Sequence, residues 1–275
     1  MVRGERPQYA PIPPHIMQMG PPYRATWAAK FNHSFGSWQR HHPNWTYTLL
    51  AAGLQDNRNL ERIVSRHAPH FLSTWRRLCY GIMQIDLARV VWLYAHGGVY
   101  ADLDVEARES AAPHLEGAAV VLVANDTNHA KERCELRQPN CGTHMSNYFM
   151  AGVAGHPFWL ALLNYTTRHV GRLCREHSAR NLVHRVPELT GPFAVGRTYE
   201  AMMASATPAV AQSIRVLPRR VSFMQSHSEG SWLKRVPDRI NRGMVPSNGR
   251  RGGTVPSSLT RTLAAPRVPR TVSAI

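Results

Sequence analysis

The sequence predicts an α/β fold: a single Rossmann-like domain with a mixed central sheet flanked by helices. Three observations carry that expectation. Short apolar or alternating runs suited to strands alternate with stretches of helical periodicity through most of the chain. The run from Ala118 to Ala124 is apolar throughout, as a strand covered on both faces must be. Two carboxylates, Asp102 and Asp104, follow a strand-forming run, and α/β sheets bind ligands at the carboxyl ends of their strands.

In chain order, residues 12–20 read as a first strand, 24–37 as a helix, 45–50 as a strand and 58–67 as a short helix. A buried helix is expected from Leu78 to Ala95, because Ile82, Ile85, Val90, Leu93 and Tyr94 recur at helical spacing and nothing after Gly81 breaks it before Gly97. Gly97-Gly98 matches a helix stop that needs positive φ. Beyond it the chain alternates, with Val99, Ala101, Leu103 and Val105 expected on one strand face and Tyr100, Asp102 and Asp104 on the other. Residues 118–124 and 147–151 suggest further strands, and 158–170 an amphipathic helix. No internal repeat is visible.

The chemistry-bearing residues lie around that helix stop. Asp86 and Arg89 are three apart on one helical face, so they either pair structurally or present a carboxylate and a guanidinium together to a polyhydroxyl ligand. Two carboxylates spaced as Asp102 and Asp104 cannot both remain buried and charged without a counter-ion, and their hard oxygens suit Mg2+ or Mn2+. Solvated acids at a strand end are the plain alternative.

The pattern D-x-x-R, then G-G-x-Y-x-D-x-D, from Asp86 to Asp104, resembles the DXD-containing sugar transferases of glycosyltransferase family 32. These are typified by the yeast initiating α-1,6-mannosyltransferase and the inositol-phosphorylceramide mannosyltransferases, with the clostridial glucosylating toxins as distant relatives. Ile12-Pro13 through Gln18 is similar to that family's opening strand, and Trp38 with Pro43-Asn44-Trp45-Thr46-Tyr47 to its next segment. Asn147 through Gly155-His156-Pro157-Phe158, then Thr190-Gly191-Pro192, then His227 with Gly230-Ser231-Trp232, match in order, so the resemblance covers roughly residues 12–235.

The resemblance implies a GT-A fold and a metal-dependent, retaining transfer of a hexose from GDP-mannose or a UDP-hexose to a glycan or glycolipid acceptor. It implies that Asp104 holds Mn2+ or Mg2+ directly, that Asp102 meets the ribose and supports the metal through water, and that His227 is a further metal or phosphate ligand. Asp86 and Arg89 would bind hydroxyls of the donor sugar, Tyr100 would line the same pocket, and Gln18 and Ser231 would complete the nucleotide site. Trp232 would donate its indole N–H to the leaving diphosphate, where fixed donors lower the barrier. Met17 and Gly20 stand where relatives carry His and Trp, so an aromatic surface for the base is either missing or supplied by Tyr23 or Trp27.

A second reading is a haloacid-dehalogenase-like phosphohydrolase with Asp102 as nucleophile and Asp104 as acid/base. That pattern expects Thr or Val where Glu106 stands, and it leaves Asp86, Arg89 and the paired glycines without roles. A specific nucleic-acid-binding module is disfavoured because no aromatic-plus-basic motif accompanies the charge.

The 275 residues carry a formal charge of +16, and from Arg235 to Ile275 eight arginines face one acid, Asp238. We therefore expect an N-terminal arm (1–11), a catalytic domain (12–235) and a basic disordered tail (236–275) that either attracts anionic membrane surfaces or reflects no more than high-GC codon usage. No apolar run is long enough to span a bilayer, and no anchor or signal peptide is visible. The cysteines, Cys79, Cys134, Cys141 and Cys174, form no C-x-x-C pair, which disfavours zinc, and Cys134 with Cys141 would suit a disulfide in an oxidising compartment. Asn32, Asn44, Asn125 and Asn164 begin formal glycosylation sequons, which hint at a Golgi or other secretory lumen in a eukaryote.

Overall fold

Alternate side chains along the central strands enter different cores, and that alternation sets the architecture of the computed structural model, which describes residues 9–20, 29–51, 58–124, 144–174 and 186–226. The strands are β1 (His15–Gly20), β2 (Thr46–Ala51), β3 (Gly98–Ala101), β4 (Val105–Ala107), β5 (Val120–Ala124), β6 (Met145–Gly152), β7 (Ile214–Leu217) and β8 (Met224–Ser226). Six of them form a sheet in the order β2-β1-β3-β6-β5-β7, and β4 pairs with β8 in a two-stranded ribbon. In the larger sheet β6 alone runs antiparallel to its neighbours, so the sheet is mixed as expected.

Met17, Met19, Tyr100, Val120, Leu122 and Met150 point into one apolar core. That core is closed by α2 (Arg58–His67), α3 (Leu72–Arg77), α4 (Gly81–His96), α6 (Pro157–Leu173) and α8 (Pro192–Ser205). Ile16, Val99, Ala101, Val121, Val123, Phe149 and Ala151 point into the second core, capped by Trp38 of α1 (Ala29–His41) and Leu115 of α5 (Ala112–Leu115). The remaining short helices are α7 (Val186–Leu189) and α9 (Pro208–Gln212). No helix among the described residues is long and apolar enough to cross a membrane.

Several boundaries differ from the sequence expectation. Helix α1 continues to His41, where Pro43 follows and prevents further winding, and residues 21–28 at its expected start lie outside the described residues. The long helix begins at Gly81 rather than Leu78, because Leu78 (ψ 128°) and Tyr80 (ψ 145°) are extended and separate α3 from α4. Cys79 sits in that break and forms a disulfide with Cys174, just past the end of α6. The Cys134–Cys141 pairing lies outside the described residues.

The Gly97-Gly98 stop is as expected. Both residues have positive φ, 67° and 96°, and a Cβ on Gly98 would lie 2.5 Å from the His15 carbonyl oxygen, so β3 can approach β1 only with glycine there. After it, β3 is shorter than the alternation predicts. It stops at Ala101, and Asp102, Leu103 and Asp104 form a turn closed by Val105 N donating to Asp102 O at 3.0 Å. The two carboxylates therefore project from a turn, not from one strand face. Leu103 leaves the second core and packs with Phe35.

Candidate functional site at the carboxyl edge of the sheet

The parallel strands β1, β3, β5 and β7 end at one edge, and antiparallel β6 begins there. Helix α4 delivers Asp86 and Arg89 to that edge from beneath. Both are almost fully buried, at 3% and 4% exposure, and Arg89 Nη2 donates to Asp86 Oδ1 at 2.8 Å. The structural pairing weighed from the sequence is thus present.

Arg89 does more than pair with Asp86. Its Nη1 donates to Asp102 Oδ1 at 3.1 Å and to the Asn147 carbonyl at 2.8 Å, and its guanidinium lies 4.5 Å above the Tyr100 ring. Asn147 Nδ2 returns a bond to Asp86 Oδ1 at 3.1 Å, and Thr190 Oγ1 donates to Asp86 Oδ2 at 2.9 Å. One buried cation thereby links the helix, the acidic turn and the first residues of β6.

The turn is held from the other side as well. Gln18, fully buried on β1, donates its side-chain amide to the Asp102 carbonyl at 3.0 Å and accepts from the Tyr47 hydroxyl. Tyr148 O accepts from Asp102 N at 2.7 Å. Gln18 was expected to meet the nucleotide, but its amide is engaged with protein and fixes the backbone of the turn. Tyr100 likewise lies under Arg89, 1% exposed, and donates its hydroxyl to Asp102 Oδ1.

Electrostatics follow from this packing. Burial pushes the Asp86 carboxyl up to about 6, opposed by Arg89 and by the Thr190 hydrogen bond. Burial also works against the Arg89 charge, but Tyr100, Asp102, Asp86 and Asp104 outweigh it and hold the guanidinium above its ordinary range. Tyr100 is driven well above the usual phenol value, chiefly by burial, so it stays a donor. Asp102 is raised by burial against the pull of Arg89, yet a third of its side chain (33%) remains exposed, and water screens much of that cost.

What projects outward is a pair of carboxylates. Asp102 Oδ2 and both Asp104 oxygens make no hydrogen bond to any described residue. Hard oxygens without protein donors, beside a buried guanidinium, fit a divalent ion that keeps positions for water and phosphate oxygens. No group of three or more His, Cys, Asp or Glu gathers among the described residues. The other expected site residues, His227, Ser231 and Trp232, lie outside the described residues, as do Tyr23 and Trp27.

Sequence reasoning missed the engagement of Thr190 and Asn147 with Asp86. Thr190-Gly191-Pro192 signals a turn before α8, and only the fold aims its hydroxyl at α4. Trp38 is buried (0% exposed), its indole donating to Val105 O at 2.7 Å, and it braces β4 rather than facing a ligand. His156 is equally structural: Nδ1 accepts from Phe158 N at 3.2 Å, capping α6, and Nε2 lies 3.0 Å from Ser213 Oγ. A groove lined by Tyr9, Ile12, Trp45, Leu115 and Ser213 opens where β1, β5 and β7 begin, at the opposite edge from the carboxylates.

Comparison with known proteins bears on the family and the fold. Residues 28–122 match the family described as "Glycosyltransferase sugar-binding region containing DXD motif". The chain is similar to inositol phosphoceramide mannosyltransferase 3 of Schizosaccharomyces pombe, 26% identical over 127 residues, which is 46% of this chain and 30% of that protein. It thus spans under a third of the length of that relative. Among solved structures, the ligand-free glycosyltransferase domain of the YGT toxin superposes with a TM-score of 0.52 at 8% identity, covering 76% of this chain and 81% of that one. The PaToxG glycosyltransferase gives 0.47 at 12% identity over 74% of each chain. The fold is GT-A, and the matched segment contains α4, the glycine stop and both outward carboxylates.

Proposed function

We propose that this chain, which carries the DXD sugar-binding region of a glycosyltransferase between residues 28 and 122, moves a hexose from a nucleotide sugar to a glycan or glycolipid acceptor. GDP-mannose is the first donor to test, because the Schizosaccharomyces pombe relative is a mannosyltransferase, and UDP-hexoses come next. An inositol phosphoceramide is the corresponding first acceptor.

The observation that carries this reading is the pair of outward carboxylates, Asp102 and Asp104, underpinned by the buried Arg89–Asp86 pair. Asp104, with Asp102 behind it, would hold Mn2+ or Mg2+, and His227 would add a ligand from outside the described residues. When bound, the ion supplies positive charge where the departing nucleoside diphosphate becomes negative. The protein's own part is positional. Arg89 fixes the Asp102 carboxylate through Oδ1 so that Oδ2 stays outward, and Gln18 fixes its carbonyl. Hydroxyls of the donor hexose would meet the surface above Asp86 and Arg89, with Ser231 and Trp232 on the diphosphate. Transfer with retention of the anomeric configuration belongs to the same proposal.

The test is manganese-dependent release of GDP or UDP from a panel of nucleotide sugars by the purified chain. Turnover with at least one donor, abolished by EDTA and by Asp104→Ala, is expected. Turnover that survives Asp104→Ala would remove the metal role. Phosphatase activity with a covalent phosphate on Asp102 would replace the transferase by the phosphohydrolase reading.

A further inference from the structure

We propose that Asn44 is an N-glycosylation site, modified in the lumen of a secretory pathway. The inference does not rest on the transferase reading.

Four sequons are present, and the structure separates three of them. Asn32 lies within α1, and the Ser34 that would complete its sequon is fully buried. Asn164 lies within α6, and Thr166 is buried with Oγ1 donating to Leu162 O and Leu189 O at 3.3 and 3.2 Å. In both, the helix turns the hydroxyl into the core, so the folded chain does not present acceptor and hydroxyl together on its surface. Asn125 lies outside the described residues.

Asn44 differs in every respect. It occupies the third position of a turn closed by Trp45 N donating to His42 O at 3.1 Å, and Asn44 and Thr46 are both exposed. The Asn44 side chain makes no hydrogen bond to a described residue, and Thr46 Oγ1 makes only a long one, 3.4 Å to Pro14 O. The turn is anchored at its first residue, because His42 is buried, accepts from Ala111 N at 2.9 Å and packs against the Trp45 ring at 4.5 Å. An exposed Asn two residues before an exposed Thr, on a surface turn, leaves room for the glycan in the folded chain.

A second observation concerns the compartment. Cys79 and Cys174 form a disulfide across 95 residues of chain, and such bonds persist in oxidising lumens, where N-glycosylation takes place. The chemistry is a group transfer from a lipid-diphosphate oligosaccharide. The bond from sugar C1 to the phosphate oxygen breaks, a bond from C1 to Asn44 Nδ2 forms, and the amide proton leaves to solvent as the lipid diphosphate departs. Asn44 precedes β2, an edge strand of the sheet, where β1 and β2 begin, so a glycan there stands at the opposite edge from the carboxylates.

The test directs the full chain into the lumen of a eukaryotic secretory host behind a cleavable signal and treats the recovered protein with N-glycanase. A mobility shift is expected, with Asn44 converted to Asp in peptide mass spectra. Asn44→Gln and, independently, Thr46→Ala should lose that conversion, Thr46→Ser should keep it, and nucleotide-sugar turnover of Asn44→Gln should match the parent. Unmodified Asn44 in the recovered chain, or modification confined to Asn32, Asn125 or Asn164, overturns the proposal.

Discussion

Thr190 donates its hydroxyl to Asp86 at 2.9 Å across 104 residues of chain, joining the turn before α8 to the middle of α4. Asp86 is thereby held by three donors, Arg89, Asn147 and Thr190, before any ligand arrives. This contact makes Thr190 a positioning residue for the acidic turn, acting through Asp86 and Arg89.

Replacing Thr190 by Val should therefore cost more than a surface change. The loss of a hydrogen bond to a buried carboxylate predicts destabilisation of about 1.5–3 kcal/mol in urea unfolding. Nucleotide-sugar turnover should fall as well, and Thr190→Ser should restore both. Full turnover in Thr190→Val would separate this contact from the site.

Arg89→Lys keeps the charge but cannot reach Asp86, Asp102 and the Asn147 carbonyl together, since a lysine lacks the planar fork. Leaving the buried Asp86 carboxylate short of partners should destabilise the fold by about 3–5 kcal/mol. In whatever fraction remains folded, the Mn2+ requirement should rise, because Asp102 is no longer aimed. Metal titration of turnover measures this, and an unchanged half-saturating Mn2+ concentration would contradict it.

Two buried groups predict opposite dependences of stability on pH. Asp86 is raised from 3.8 to about 6, so its contribution is full below 3.8 and lost as pH rises through 6. His156 is lowered by burial from 6.5 to about 4, so its contribution is full above 6.5 and lost as pH falls through 4. Each shift is worth about 3 kcal/mol. Urea unfolding of Asp86→Asn across this range should lack the decline toward neutral pH, and His156→Gln should lack the decline toward acid. Parallel curves for parent and variant would refute either assignment.

The Cys79–Cys174 disulfide closes a loop of 95 residues and ties the break between α3 and α4 to the end of α6. Cys174→Ala, or reduction, should lower unfolding stability by about 2–4 kcal/mol. An oxidised parent no more stable than Cys174→Ala would show that the bond is absent in solution.

Local periodicity made much of this fold legible. Helix α2 matches its expectation at both ends because Leu60 and Val64 define a short buried stripe and Pro69 follows its last turn. The apolar run of β5 and the Gly97-Gly98 stop were equally readable, since each follows from residue type over a few positions. The turn at Asp102–Asp104 was not, because its local alternation is sound for a strand. What holds it in the turn is remote: the Gln18 amide, 84 residues away in sequence, takes the Asp102 carbonyl, and Tyr148 O takes the Asp102 N–H. Thr190 on Asp86 and Cys79 on Cys174 were hidden for the same reason, as contacts between distant segments that no short window contains.

Strand β6 runs against β3, so its opening residues stand beside the end of β3, and Asn147 and Tyr148 anchor Arg89 and Asp102 from there. The position of β6 along β3 is therefore part of the site. Shifting β6 by one position would exchange its inward and outward side chains and carry the Asn147 amide away from Asp86. A substitution that let β6 slip along β3 would therefore unseat Arg89 and Asp102 without removing either residue.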